Sequence, residues 1–209
     1  MKRVKIYYII AIVLIWVVSC KKDNQSEQEI VPTPTTPSGS FFKADFNGVT
    51  KTFSSANSYV NFYGLEIFLP DTNGNIDVSP KAGLASSVPD LISIQFVNNI
   101  YDSATYSAHA DSLFHAVMHT GSYLYANGPG ITGVNIYYAN GSYCWGSSYQ
   151  SQTGSMFSIT SSSYLPDILT HSYHEIEFTF NCKLYDCANT GNTIVIQNGS
   201  GRLKFEGQK

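Results

Sequence analysis

The clearest pattern in the chain is a strict alternation over Glu175–Asp186. Ile176, Phe178, Phe180, Cys182 and Leu184 fall on one face, and Glu177, Thr179, Asn181 and Lys183 on the other. A period of two with a polar outer face predicts a strand buried on one side and solvated on the other, as in an antiparallel sheet. Residues Phe42–Phe46 and Val49–Phe53 flank Asn47-Gly48. That dipeptide supplies the two positive-φ residues of a type I′ turn, so the segment reads as a hairpin. Further strands are expected at Leu65–Leu69, Leu91–Val97, Val134–Tyr138, Met156–Thr160, Thr193–Gln197 and Gly201–Phe205, with Asn198-Gly199 as the bend between the last two. One helix is expected, capped by Asp111 or Ser112, carrying the apolar stripe Leu113, Phe114, Val117 and Met118, and ended by Gly121. Many short strands with a single small helix predict an all-β fold, an antiparallel β-sandwich of the jelly-roll or immunoglobulin-like kind.

The N-terminus follows a different pattern. Lys2, Arg3 and Lys5 precede an unbroken apolar run from Ile6 to Val18, which ends at Val17-Val18-Ser19-Cys20 before Lys21, Lys22 and Asp23. At ~1.5 Å rise per residue the run reaches about 20 Å, short of the ~30 Å hydrocarbon core of a bilayer. A charged start, a short apolar stretch and a small residue at the cleavage point describe a secretory signal. Val-Val-Ser-Cys resembles the lipobox of bacterial lipoproteins, which implies cleavage after Ser19 and lipidation of Cys20. Two or more acyl chains anchor stably where one does not. Residues 1–19 are thus expected to be a signal peptide and 20–40 the lipidated Cys with a flexible tether. In that tether Pro32, Pro34 and Pro37 lie among Thr, Ser and Gly and favour extended geometry of at most about 66 Å. Residues 41–209 are then the folded domain.

Composition narrows the function. Only 13% of residues are charged, about half the ~25% of an ordinary soluble domain. The net charge is −3 for the whole chain and −6 once Lys2, Arg3 and Lys5 leave with the signal. With no basic excess, nucleic acid is not a partner. An acidic body is repelled by anionic head groups, so the lipid must hold it at the membrane. The sparse charge leaves a surface of hydroxyl, amide and aromatic groups.

No catalytic motif appears: there is no Gly-x-Ser-x-Gly elbow and no phosphate-binding glycine loop, and we expect no enzyme and no cofactor. We assign no metal site, although two groups have ligand chemistry. Asp111, His115 and His119 share one face at helical spacing, without the Glu of a His-Glu-x-x-His motif; the competing reading is a solvated helix face. Asp71, Asn73, Asn75 and Asp77 alternate oxygen ligands, but the sixth and twelfth positions hold Ile76 and Ala82 where a calcium loop needs Gly and Glu. With Cys20 assigned to lipid, three cysteines remain for one disulfide and one thiol. Cys182 and Cys187 are nearest in sequence. Along a continuous strand they would be ~17 Å apart, so they can join only if the chain turns before Cys187. Cys144 with Cys182 is the competing pair. Tyr138, Tyr143, Trp145 and Tyr149 are candidates for stacking on sugar rings, against a competing reading as cross-strand packing.

The opening Phe-Lys-Ala-Asp-Phe-Asn-Gly, the Gly121-Ser-Tyr123 segment and the closing strand pair from Phe178 through Phe205 resemble β-rich outer-membrane lipoproteins of the Bacteroidota without assigned activity. The Cys-Lys-Lys-Asp start is similar to many lipoproteins of that phylum, and Lys21 after the Cys implies sorting to the outer membrane, on its periplasmic or cell-surface face. The expected function is a membrane-anchored extracytoplasmic lipoprotein: a non-catalytic domain for a glycan or protein partner at the envelope. The alternative is a glycan-binding or carbohydrate-active hydrolase component of a polysaccharide-uptake system.

Overall fold

The computed structural model describes residues 39–68, 70–86, 90–128 and 130–208. The expected signal, Cys20 and the tether up to residue 38 lie outside the described residues. The strand predicted from alternation is β11 (His171–Asp186), and its inward set is buried as expected: Ile176, Phe178, Phe180, Cys182 and Leu184 are each at most 3% exposed. On one side β11 pairs with β12 (Thr193–Gln208). On the other it pairs first with β10 (Met156–Ile168) and then, at its end, with β9 (Tyr143–Gly146). β12 leads outward to β1 (Phe41–Phe46) and β2 (Val49–Ser54), joined by the Asn47-Gly48 turn with φ of 49° and 83°. β9 leads the other way to β8 (Gly133–Asn140), β5 (Asp90–Val97), β4 (Asn75–Ala85) and β3 (Val60–Phe68). β6 (Asn99–Asp102) extends β5 along β4, and β7 (Gly121–Tyr123) pairs with β10.

The fold is therefore all-β and antiparallel, with one helix. All twelve strands belong to one sheet rather than two separate ones: an unbroken path of nine runs from β2 to β3, with β6, β7 and β10 paired off it. The ladder curls until its inner faces meet. Phe96 of β5 lies 5.6 Å, centroid to centroid, from Phe205 of β12, and Phe46 of β1 lies 5.1 Å from Tyr138 of β8. Each such aromatic pair adds ~0.5–1.5 kcal/mol beyond burial of its area.

Three sequence expectations change. Asn198-Gly199 is no hairpin bend; Thr193–Gln208 is one strand. Asn198 (φ 52°) forms a bulge, opposite which the register shifts on both neighbours, between Phe180 and Cys182 and between Lys43 and Asp45. Its Nδ2 donates to Asp45 Oδ2 at 2.8 Å, so the left-handed residue is held inside the ladder rather than reversing the chain. The helix α1 (Ser103–Ala116) begins earlier than expected, because Asp102 accepts from the Thr105 amide at 2.9 Å and caps it. Asp111 and Ser112 lie within α1, just after a kink at His109 (φ −136°, ψ 21°), and Gly121 opens β7 instead of closing the helix. The disulfide joins Cys144 to Cys187, with Cα atoms 5.6 Å apart, and leaves Cys182 free. Neither Cys182–Cys187 nor Cys144–Cys182 forms. β11 stays continuous through Cys182 and turns that thiol into the core, where burial pushes its pKa up to about 12. β9 pairs beside the end of β11, and the Cys187 amide donates to the Cys144 carbonyl.

The curl depends on close ring packing at β12. A Cβ added at Gly201 would stand 2.3 Å from Phe178 Cζ and 2.8 Å from the Phe41 carbonyl oxygen, and Gly201 is the direct cross-strand partner of Phe178. Gly201→Ala should lower the unfolding free energy by about 1–3 kcal/mol, the usual cost of overpacking, as read from urea midpoints.

Candidate functional site

Cross-strand register sets Tyr138 of β8 opposite Trp145 of β9. Their rings stack at 5.5 Å and 21°, and Trp145 stacks on Tyr143 at 6.1 Å and 29°. Lys51 closes the inner end: its ammonium donates to the Tyr138 hydroxyl at 2.7 Å and lies 4.9 Å from that ring's centroid. Three of the four expected sugar-stacking residues thus form a ladder, but they lie on one another. Tyr138 is 2% exposed, and Tyr143, at 68%, is the outer rung. Tyr149 is not part of it. Its ring covers Gly146, whose side-chain direction is opposite to that of Trp145 along the strand.

Open polar space lies elsewhere. A groove of about 400 Å³ runs between the Thr153–Ser155 loop and the outer face of β11 and β12, lined by Asn181, Lys183, Gln197 and Asn198. A second groove of about 360 Å³ shares Thr153 and Ser155 and adds Tyr123, Leu124, Asn127 and Ile131. A third, of about 290 Å³, lies between β3 and the β11–β12 pair. There His171 Nδ1 meets Glu206 Oε1 at 2.5 Å, beside Tyr63. None of the three is lined by two carboxylates, the arrangement a two-acid glycoside hydrolase requires.

The helix places His115 differently from expectation. It is buried, 5% exposed, rather than on a solvated face. Its Nδ1 lies 2.7 Å from His174 Nδ1, and its Nε2 lies 3.4 Å from Asp111 Oδ1. His174 Nε2 in turn lies 2.7 Å from Ser162 Oγ, which is 2.5 Å from the Met118 carbonyl. A five-group chain results: Asp111, His115, His174, Ser162 and the Met118 carbonyl. The Tyr164 ring lies over both imidazoles, at 4.2 and 5.2 Å. Burial lowers the pKa of His115, opposed by the Asp111 carboxylate. Burial, with the neighbouring His115, lowers that of His174 to about 4. Sequence reading left His174 and Ser162 out. His174 could have been found by running the β11 alternation back two residues, which puts it on the buried face.

Asp111, His115 and His119 do not share an ion. The two nitrogens of His115 are turned to Asp111 and His174, while His119 Nδ1 faces the Ala116 carbonyl and the Tyr123 hydroxyl. Asp71, Asn73, Asn75 and Asp77 are not arranged as a ligand set either. Asp71 Oδ1 accepts from the amides of Asn73 and Asn75 at 2.8 and 2.9 Å, its Oδ2 accepts from Asn75 Nδ2, and Asp77 accepts from Ser79. These bonds close the turn before β4. Among the described residues no three metal-ligating side chains converge.

Compared with known proteins, the chain matches no family model, no curated protein and no solved structure.

If the ladder is packing, Trp145→Ala should lower stability by about 2–4 kcal/mol and Tyr143→Ala by less than about 1 kcal/mol, compared by urea unfolding. The buried histidines make a separate prediction. An unfolded chain protonates His174 near the ordinary 6.5, whereas the fold does so near 4. The unfolded state therefore binds more protons in that window. Stability is full above pH 6.5 and falls toward pH 4 by up to ~3 kcal/mol. Unfolding free energies of the wild type and His174→Gln across pH 7.5 to 4 should converge as the pH drops.

Proposed function

We propose that this chain is an envelope-tethered lipoprotein whose β domain is a non-catalytic binding module held off the membrane by the 21–40 tether. One observation carries the reading: Lys2, Arg3 and Lys5, the apolar run to Val18, and Val17-Val18-Ser19-Cys20 stand in the order of a lipoprotein signal. The Cys144–Cys187 pair supports it, because disulfides persist in oxidising, extracytoplasmic compartments. Lys21 and the resemblance to Bacteroidota lipoproteins favour the outer membrane as the destination.

Glycan binding is the second reading, and the groove on β11 and β12 favours it over the aromatic ladder. Asn181, Gln197, Asn198, Thr153 and Ser155 line it, around the single charge of Lys183. Such a polar lining suits a hydroxyl-rich ligand. The hydrolase alternative draws no support from the three grooves.

Cys20→Ala is the test of the anchor. The wild type should incorporate labelled palmitate and lose residues 1–19, whereas the variant should incorporate none and keep its N-terminal run, read as a larger mass. A wild type that takes up no palmitate, or that keeps residues 1–19, would sink the lipoprotein reading. For the groove, a glycan array with wild type and Gln197→Ala should show binding that the substitution weakens about tenfold or more.

A further inference from the structure

The His115–His174 contact admits a fixed number of protons. At 2.7 Å the two Nδ1 atoms must have one hydrogen between them, since none sets lone pair against lone pair and two set N–H against N–H. In the neutral pair, the His115 Nε2 hydrogen faces Asp111 Oδ1 3.4 Å away, one proton bridges the rings, and His174 Nε2 accepts from Ser162. One further proton fits without strain. It enters at His174 Nε2, which then donates to Ser162, and the Ser162 hydroxyl turns to the Met118 carbonyl 2.5 Å away. Only in this state does every contact of the chain hold one hydrogen, because in the neutral pair the single Ser162 hydrogen serves either His174 or the Met118 carbonyl. A second further proton has no place except the bridge, where two imidazolium N–H groups would oppose each other.

What this contact holds is the end of the curled sheet. The part of α1 after the His109 kink, with the turn that follows, carries Phe114, His115, Val117 and Met118, all buried. The Phe114 ring packs directly on Gly207 of β12, where an added Cβ would stand 2.8 Å from it. The charged and titratable groups facing the pair are Asp111 of α1 and Asp167 and Tyr164 of β10. From β12 the cross-strand neighbour of His174 is the apolar Phe205. Asp111, at 3.4 Å, is the nearest carboxylate and Asp167 also favours a charged His115, but neither relieves two N–H groups set against each other at the bridge.

We propose that His115–His174 is an acid-released latch: double protonation of the pair frees the C-terminal half of α1 to swing about His109 and uncover the apolar interior of the sheet. It is independent of lipidation and of any ligand. Hydrogen exchange of the full chain, read by mass spectrometry as protection factors between pH 7.5 and 4, tests it. Protection over residues 110–118 should fall about tenfold or more as the pH drops, while residues 176–184 of β11 keep theirs. In His174→Gln and His115→Gln, where a neutral amide replaces one imidazole, the pH dependence of that segment should weaken to that of the single imidazole that remains. His171→Gln, outside the chain of contacts, should follow the wild type. Three results would overturn the latch: protection of 110–118 flat with pH in the wild type, loss shared equally by β11, or a wild-type profile in a folded His115 or His174 variant. The wild-type profile alone decides if neither variant folds.

Discussion

Strand β11 presents one face of apolar side chains to the interior along most of its sixteen residues, and keeping that face from water is the constraint on which the remaining architecture depends. At roughly 1.5–3 kcal/mol for each large apolar side chain buried, the row of Ile176, Phe178, Phe180, Cys182 and Leu184 is a large contribution from one strand. A flat sheet would leave it bare. The ladder curls instead, so that β5 and β8 cover what β11 and β12 present, and glycines on β12 leave room for the rings of Phe178 and Phe180. The bulge at Asn198 sits where this curvature is needed, between the pairings to β1 and β11.

The same inward row continues past Ile176 to His174, and there its chemistry changes. A buried imidazole needs partners for both nitrogens, because an unpaired buried polar group is costly. Helix α1 brings one partner and β10 the other. The polar chain from Asp111 to the Met118 carbonyl thus does for the open end of the sheet what ring packing does for its middle. Its stability is tied to proton count, which ring packing is not.

At the opposite end the Cys144–Cys187 bridge ties β9 to the close of β11, and the Tyr143–Trp145–Tyr138 ladder runs from the surface into the core beside it. The aromatic richness that suggested sugar stacking is largely taken up by contacts among the rings themselves. The hydroxyl and amide surface inferred from the low charge content remains, and it gathers around the Thr153–Ser155 loop.

The fold class, the β1–β2 hairpin and the buried face of β11 were legible in the sequence, because period-two alternation and Asn-Gly turns are local rules that need no knowledge of neighbours. Strand β4 was missed because Pro80 and Asp77 disguise it; Pro80 falls where β4 changes partner from β6 to β5. Asn198 was read as a bend because a left-handed Asn serves a turn and a bulge alike, and only strands on both sides select the bulge. Cysteine pairing and the fate of His115 lay further out of reach. Each depends on which residues, 43 or 59 positions away, the curled ladder brings within bonding distance. Local pattern determined which face of each strand turns inward; the long-range closure of the sheet decided what each inward group meets there.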